Sequence, residues 1–143
     1  MWVEVTETDL AATIAQREID AYRRSGPNDG SDLVAELLRR TVSHVRGWIS
    51  CNGDVRLGPS GTIPEGLVSP AMDYAAADLL KRIDRPLNDD RRKARERAEI
   101  LFEKIAQGAY KPESYTPDGT LDDATRPATS PSFAQPRPER ILD

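Results

Sequence analysis

The chain has 143 residues, 20 Lys+Arg against 24 Asp+Glu and a formal net charge of −4, which accommodates one packed domain with a tail and excludes a second core. Its single cysteine, Cys51, excludes an intrachain disulfide and a cysteine-based metal cluster, so an intracellular origin is expected. Met1-Trp2-Val3-Glu4 has no basic segment followed by an apolar run, and no stretch is long enough to span a bilayer, which predicts a protein made and kept in the cytoplasm.

A first helix is predicted over residues 7–24. Thr6 caps it, Asp9 reaches back as in a capping box, and Val5 staples onto Leu10. Leu10, Ile14, Ala21 and Tyr22 form its main apolar stripe, and Ser25-Gly26-Pro27-Asn28-Asp29-Gly30 breaks it. The second helix starts near Ser31 or Asp32 and runs to about residue 50. Val34, Leu37, Leu38, Thr41, Val45, Trp48 and Ile49 recur there at three- and four-residue spacing. This reads as the central helix, with Trp48 as its largest buried group.

Residues 52–63 hold Gly53, Gly58, Pro59 and Gly61 and predict a loop or a short hairpin. Pro64 opens a single turn through Leu67. Ser69 as cap and Pro70 at the first helical position then start a third helix ending near Ile83. Ala75, Ala76 and Ala77 permit close approach of another helix, and Leu79, Leu80 and Ile83 supply apolar bulk. Arg85-Pro86-Leu87 turns the chain. The fourth helix spans residues 88–107, with Asn88 as cap, Asp89 and Asp90 at its positive end and Gly108 as a left-handed stop.

From Pro112 onward there are six prolines in 32 residues, and the larger apolar groups are limited to Tyr115, Leu121, Phe133, Ile141 and Leu142. Such a segment cannot bury enough surface to fold alone. Residues 1–111 carry 17 Lys+Arg against 18 Asp+Glu and residues 112–143 carry 3 against 6, so neither part resembles a general nucleic-acid binder. The expected fold class is all-α. It comprises a four-helix orthogonal or up-down bundle over residues 1–111 and an extended or disordered Pro-rich arm over 112–143.

Several residues invite a chemical reading. Gly58-Pro59-Ser60-Gly61-Thr62 could cradle a phosphate, but no Lys follows the glycines. His44 shares a helix face with Leu37, Thr41 and Trp48 and has no second histidine or cysteine to complete a metal site, which favours a structural role. Cys51 has no sequence-local partner to lower its pKa and reads as an inert small hydrophobe. Asp89-Asp90 fits helix capping, while Asp122-Asp123 lies in the arm and cannot hold preorganised geometry. Arg91-Arg92-Lys93, with Arg95 and Arg97, spreads around a helix interleaved with Glu96, Glu99 and Glu103. That pattern suits an ion-paired solvated surface better than a DNA contact. Residues 70–107 read as a helix-turn-helix would also present Asp89 and Asp90 to phosphates, which they repel. No catalytic residue, cofactor site or metal site is therefore assigned.

Two helices carry apolar residues beyond one core-facing stripe. The first has Ala12, Ala15 and Ile19, and the fourth sets Ile100 opposite Ala94, Ala98, Leu101 and Ile105. Each arc exceeds the roughly 100° that faces a single core. With Trp2 ahead of the first helix and Phe133, Ile141 and Leu142 spaced along the arm, these residues are the expected oligomer contacts. An extended chain with spaced apolar groups suits docking on a neighbour.

The pattern resembles a known family. Val5-Thr6-Glu7-Thr8-Asp9-Leu10 opens the chain, and Ile63-Pro64-Glu65 precedes an alanine-rich helix ending Leu79-Leu80-Lys81-Arg82. Arg91-Arg92-Lys93-Ala94 then leads to Ile105-Ala106-Gln107-Gly108. Over residues 3–110 this is similar to the small all-helical head-tail connector, or neck adaptor, proteins of tailed phages and prophages, including the Mu-like phage family of unknown function. Pro131-Ser132-Phe133 through Arg137-Pro138 resembles the ends of such proteins. The resemblance implies a non-enzymatic subunit that forms an oligomeric ring at the portal and joins head to tail. Its partners would be copies of itself, the portal and neighbouring joining proteins, with DNA only as passing cargo and no small-molecule substrate, cofactor or membrane. It would act in the bacterial host cytoplasm and be incorporated into the virion. The alternatives are a helical DNA-binding regulator using residues 70–107 and a small enzyme that brings His44 or Cys51 against an acidic partner.

Overall fold

The computed structural model describes residues 1–27 and 30–117, and the chain it describes is mostly helical. In chain order the elements are β1 (Trp2–Glu4), α1 (Glu7–Ala11), α2 (Gln16–Arg24), α3 (Leu33–Ser50) and β2 (Thr62–Pro64). A 3₁₀ turn (Glu65–Leu67), α4 (Val68–Arg82) and α5 (Asp89–Gln107) follow.

Local chemistry sets most helix ends. At the start of α1 the Asp9 carboxylate accepts from the Thr6 backbone N–H at 2.9 Å and from its hydroxyl at 3.2 Å. Asp32 caps α3 by accepting from the N–H groups of Val34 at 3.0 Å and Ala35 at 3.4 Å. Asn88 accepts from the Arg91 N–H at 2.8 Å, and Gly108 closes α5 with φ 83°, the left-handed conformation that glycine adopts without a Cβ clash. Between α4 and α5 the turn is made by Asp84 at φ 56°, a conformation that aspartate tolerates better than most residues.

The single helix expected over residues 7–24 is two helices. The chain leaves helical geometry at residues 12–15, where the Glu18 carboxylate accepts from the Ala15 N–H at 3.3 Å and restarts the helix. The freed Thr13 carbonyl accepts from the Arg91 guanidinium at 3.2 Å. Because the break re-aims α2, Ile19 turns inward and is fully buried with Leu10, Ile14 and Tyr22. The third helix begins directly from the 3₁₀ turn at Val68, one residue before the cap expected at Ser69.

α3 and α4 form the centre, each packing against every other helix among the described residues. Ala71, Ala75 and Ala76 are buried along α4, so neighbouring backbones approach closely, and Phe102 and Ile105 of α5 fill the space alongside. Trp48, expected as the largest buried group of α3, is half-buried. Its indole instead lies flat on Phe102, with centroids 4.8 Å apart and planes 8° from parallel, and Phe102 takes the fully enclosed position.

A small sheet closes one side. β1 and β2 pair antiparallel with Trp2 opposite Pro64, Val3 opposite Ile63 and Glu4 opposite Thr62. The chain after α5 returns to this ribbon: Pro112 is buried, and the Glu113 carbonyl accepts from the Trp2 indole N–H at 3.0 Å. The Tyr115 N–H donates to the Arg56 carbonyl at 2.9 Å, and the Arg56 N–H donates to the Ser114 hydroxyl at 3.0 Å. Residues 112–115 are thus a strap over β1 and the 56–58 loop, packed on the body that the sequence ended at residue 111.

Candidate functional site

An open groove of about 640 Å³ lies between α3, β1 and the start of α1. Its floor comes from Val34, Leu38 and Val42, four residues apart on one stripe of α3. Glu4, Glu7 and Asp32 stand on its rim, and Ser60 and Gly61 close one end.

The charges around this groove are unevenly satisfied. Arg46 is committed to the 58–62 loop, donating to the carbonyls of Gly58 at 3.0 Å, Pro59 at 2.9 Å and Thr62 at 2.7 Å, with its guanidinium 5.7 Å from the centre of the Trp2 ring. Arg39 pairs with Glu36. Arg23 serves Glu7 at 2.6 Å and Asp32 at 3.4 Å together, and this raises its already high pKa, with the Glu7 hydrogen bond the larger cause. Desolvation pushes the Asp32 carboxyl up, but the bonds from Ala35, Val34 and Arg23 outweigh it and hold the pKa below the ordinary aspartate value. The Glu4 side chain has no ion-pair or hydrogen-bond partner among the described residues, although its backbone lies opposite Thr62 in the ribbon. Chemically, the groove offers an apolar floor with surplus negative charge, which suits an extended segment carrying both apolar and cationic side chains.

The residues weighed for chemistry are spread apart. His44 is exposed, with Trp48 edge-on at 5.6 Å and Tyr74 at 6.3 Å. Asp78 lines the same 160 Å³ depression as His44, but its carboxylate pairs with Arg95 at 3.2 Å. Cys51 is exposed at the end of α3 and does not pack as the small hydrophobe expected. The 58–62 loop turns its carbonyls to Arg46, the opposite polarity from a phosphate cradle. Asp89 pairs with Arg92 at 2.8 Å, and Asp122 and Asp123 lie outside the described residues. Arg95 is engaged by Asp78 and stacks 4.6 Å from the Tyr74 centroid. Among the described residues no group of three His, Cys, Asp or Glu is placed to hold a metal, and no helix is long and apolar enough to cross a membrane.

The expected contact residues divide into three sets. Trp2 and Ile19 are core residues, at 9% and 0% exposure, so this fold leaves neither for a neighbour. Trp2 is covered by the strap and Ile19 is turned in by the break at residues 12–15. Ala12, Ala15 and Ile100 are exposed, Ile100 at 51%. Phe133, Ile141 and Leu142 lie outside the described residues. Sequence reasoning missed the groove and the Arg46 clamp. The available signal was an arginine late in an apolar-striped helix, followed by a Gly/Pro loop whose carbonyls have few local donors.

No protein-family model matches the chain, and neither a curated protein nor a solved structure shows significant similarity to it.

Proposed function

We propose that the chain is a virion-assembly protein of phage or prophage origin, a head-tail connector whose copies join through a heterologous interface and close into a ring at the capsid portal. Head-to-tail contacts of this kind generate rings when the rotation between subunits closes. The helical bundle is the ring's building block, exposed Ile100 is part of the subunit face, and the residues beyond Pro117 carry Phe133 to a neighbour. The portal and adjacent joining proteins flank the ring, and DNA passes as cargo.

Two things support this reading: the likeness in helix-boundary pattern to connector proteins, and the anchorage of residues 113–115. The strap bonds to Trp2 and Arg56 hold residues 113–115 on the body, so on this reading the arm is tethered at a fixed point. An arm launched from a fixed point delivers its apolar groups at a reproducible geometry and loses less freedom on docking than one hung from a loose end. This anchorage is the observation that carries the proposal.

Light scattering and negative-stain microscopy of the purified chain, alone and mixed with portal-containing capsids, test it. The expected result is a ring or a capsid-bound collar. Ile100→Asp should weaken assembly by about tenfold or more while changing the subunit's stability by less than about 0.5 kcal/mol. A chain that stays monomeric and also fails to bind portal-containing capsids overturns the proposal.

A further inference from the structure

The strap and the closed end of the groove share one loop. Arg46 of α3 donates to the carbonyls of Gly58 at 3.0 Å, Pro59 at 2.9 Å and Thr62 at 2.7 Å, so a single planar guanidinium holds the loop at three points. Moving the loop at one of these carbonyls strains the other two bonds. Ser60 and Gly61, inside this span, line the groove together with Arg46. Thr62 also begins β2, where it stands opposite Glu4, another groove residue.

The strap grips the same loop. Trp2 and Tyr115 flank Gly58 so closely that a Cβ there would lie 3.0 Å from each. Trp2 in turn donates its indole N–H to the Glu113 carbonyl at 3.0 Å, and the Arg46 guanidinium lies 5.7 Å from its ring centre. Strap, indole, loop and guanidinium therefore pack in series, with Gly58 as the link between strap and groove. Few anchors hold this series. β1 and β2 have three residues each, and the strap is fixed by its bonds to Trp2 and Arg56 and by buried Pro112, whereas Leu79, Phe102 and Ile105 between the helices are fully buried. A segment so lightly anchored opens at a free energy below that of global unfolding.

We propose that the strap is a latch on the groove: residues 113–115 and the 58–62 loop open and close together, so that drawing the strap off Trp2 frees the loop from Arg46 and widens the groove's end. Linkage makes the coupling reciprocal, and displacing the loop loosens the strap by the same factor. A partner that pulls on the residues after Pro117 thereby changes the groove. The device is built into a single chain and does not depend on the assembly of copies.

Amide hydrogen exchange of the full chain, followed by NMR, tests the latch with one reporter at each end. The Thr62 N–H, which donates to the Pro59 carbonyl at 3.2 Å, reports the loop, and the Tyr115 N–H, which donates to the Arg56 carbonyl at 2.9 Å, reports the strap. Tyr115→Ala should speed Thr62 exchange about fivefold or more, and Arg46→Lys should speed Tyr115 exchange about fivefold or more, the lower end of ordinary coupling between sites. Ser114→Ala, which removes only the hydroxyl that accepts from the Arg56 N–H, moves Thr62 in the same direction. Asn88→Ala, a destabilising change at the far end of α5, leaves both reporters unmoved, and in every variant the Phe102 amide stays slower than either, as local opening requires. A Thr62 rate unchanged by Tyr115→Ala and Ser114→Ala, a Tyr115 rate unchanged by Arg46→Lys, or reporters that exchange only together with Phe102, overturns the proposal.

Discussion

Gly58 sits between two aromatic rings: a Cβ built there would lie 3.0 Å from the Trp2 indole carbons and 3.0 Å from Cδ1 of Tyr115. Gly58→Ala therefore wedges the strap from the ribbon, and urea denaturation should show a loss of about 1–3 kcal/mol. Trp2→Phe keeps most of the packing and removes the indole bond to Glu113, so a smaller loss of about 1 kcal/mol is expected from the same measurement. Two carboxylates set opposite pH dependences. Burial raises the Asp73 pKa, against the pull of Arg97 and Arg91, so the folded state holds this proton more tightly than the unfolded chain does. Its ionised form at neutral pH costs stability, and that cost is relieved as pH falls through the raised value. Asp73→Asn should raise neutral-pH stability, and the gain should vanish in acid. Asp32 has a depressed folded pKa, so its contribution is complete above the ordinary aspartate value and is lost as pH falls through the folded one. A pH series of denaturation midpoints for wild type, Asp73→Asn and Asp32→Asn separates the two.

The helices most legible in sequence are those whose ends are written locally. Asp32 and Asn88 bond their own helix N-termini, and Gly108 takes the left-handed stop. All the information for these ends lies within four residues. Asn88→Ala should cost about 1 kcal/mol by the same denaturation measurement. The break between α1 and α2 was not legible, because Ala12-Thr13-Ile14-Ala15 contains no Gly or Pro and keeps a helical apolar period. The Glu18 bond that restarts the helix is local, but the freed carbonyl's partner is distant: Arg91 of α5 takes the Thr13 carbonyl, 78 positions away, and Ile19 is buried after the chain has turned. The groove was hidden for a related reason. Val34 and Leu38 announced an apolar stripe of α3, but not that β1 would stand beside it and leave a trough. The same blindness covers β1 and β2, three residues each, whose pairing joins segments about 60 positions apart and leaves no local period to read.

At the scale of the molecule, the structured body extends beyond the last helix. Compared with a chain ended after Pro117, one ended after Lys111 loses the cover of Trp2 and three backbone-anchored bonds. Its unfolding free energy should fall by about 2–4 kcal/mol, with a red shift in tryptophan emission as the indole meets water. Equal midpoints for the two truncations would show that the strap adds nothing. The mostly helical character was legible from apolar spacing alone, since each long helix carries its own period. The strap was not, because a proline-rich stretch reads as solvent-facing unless its receiving surface is known. That surface also orders events in time. Trp2 leaves the ribosome more than 100 residues ahead of Glu113 and Tyr115, which shield it. At ordinary rates of translation, about 5–20 residues per second, the indole waits several seconds uncovered, so the nascent chain carries an unprotected greasy site that a holdase chaperone can occupy until synthesis reaches the strap.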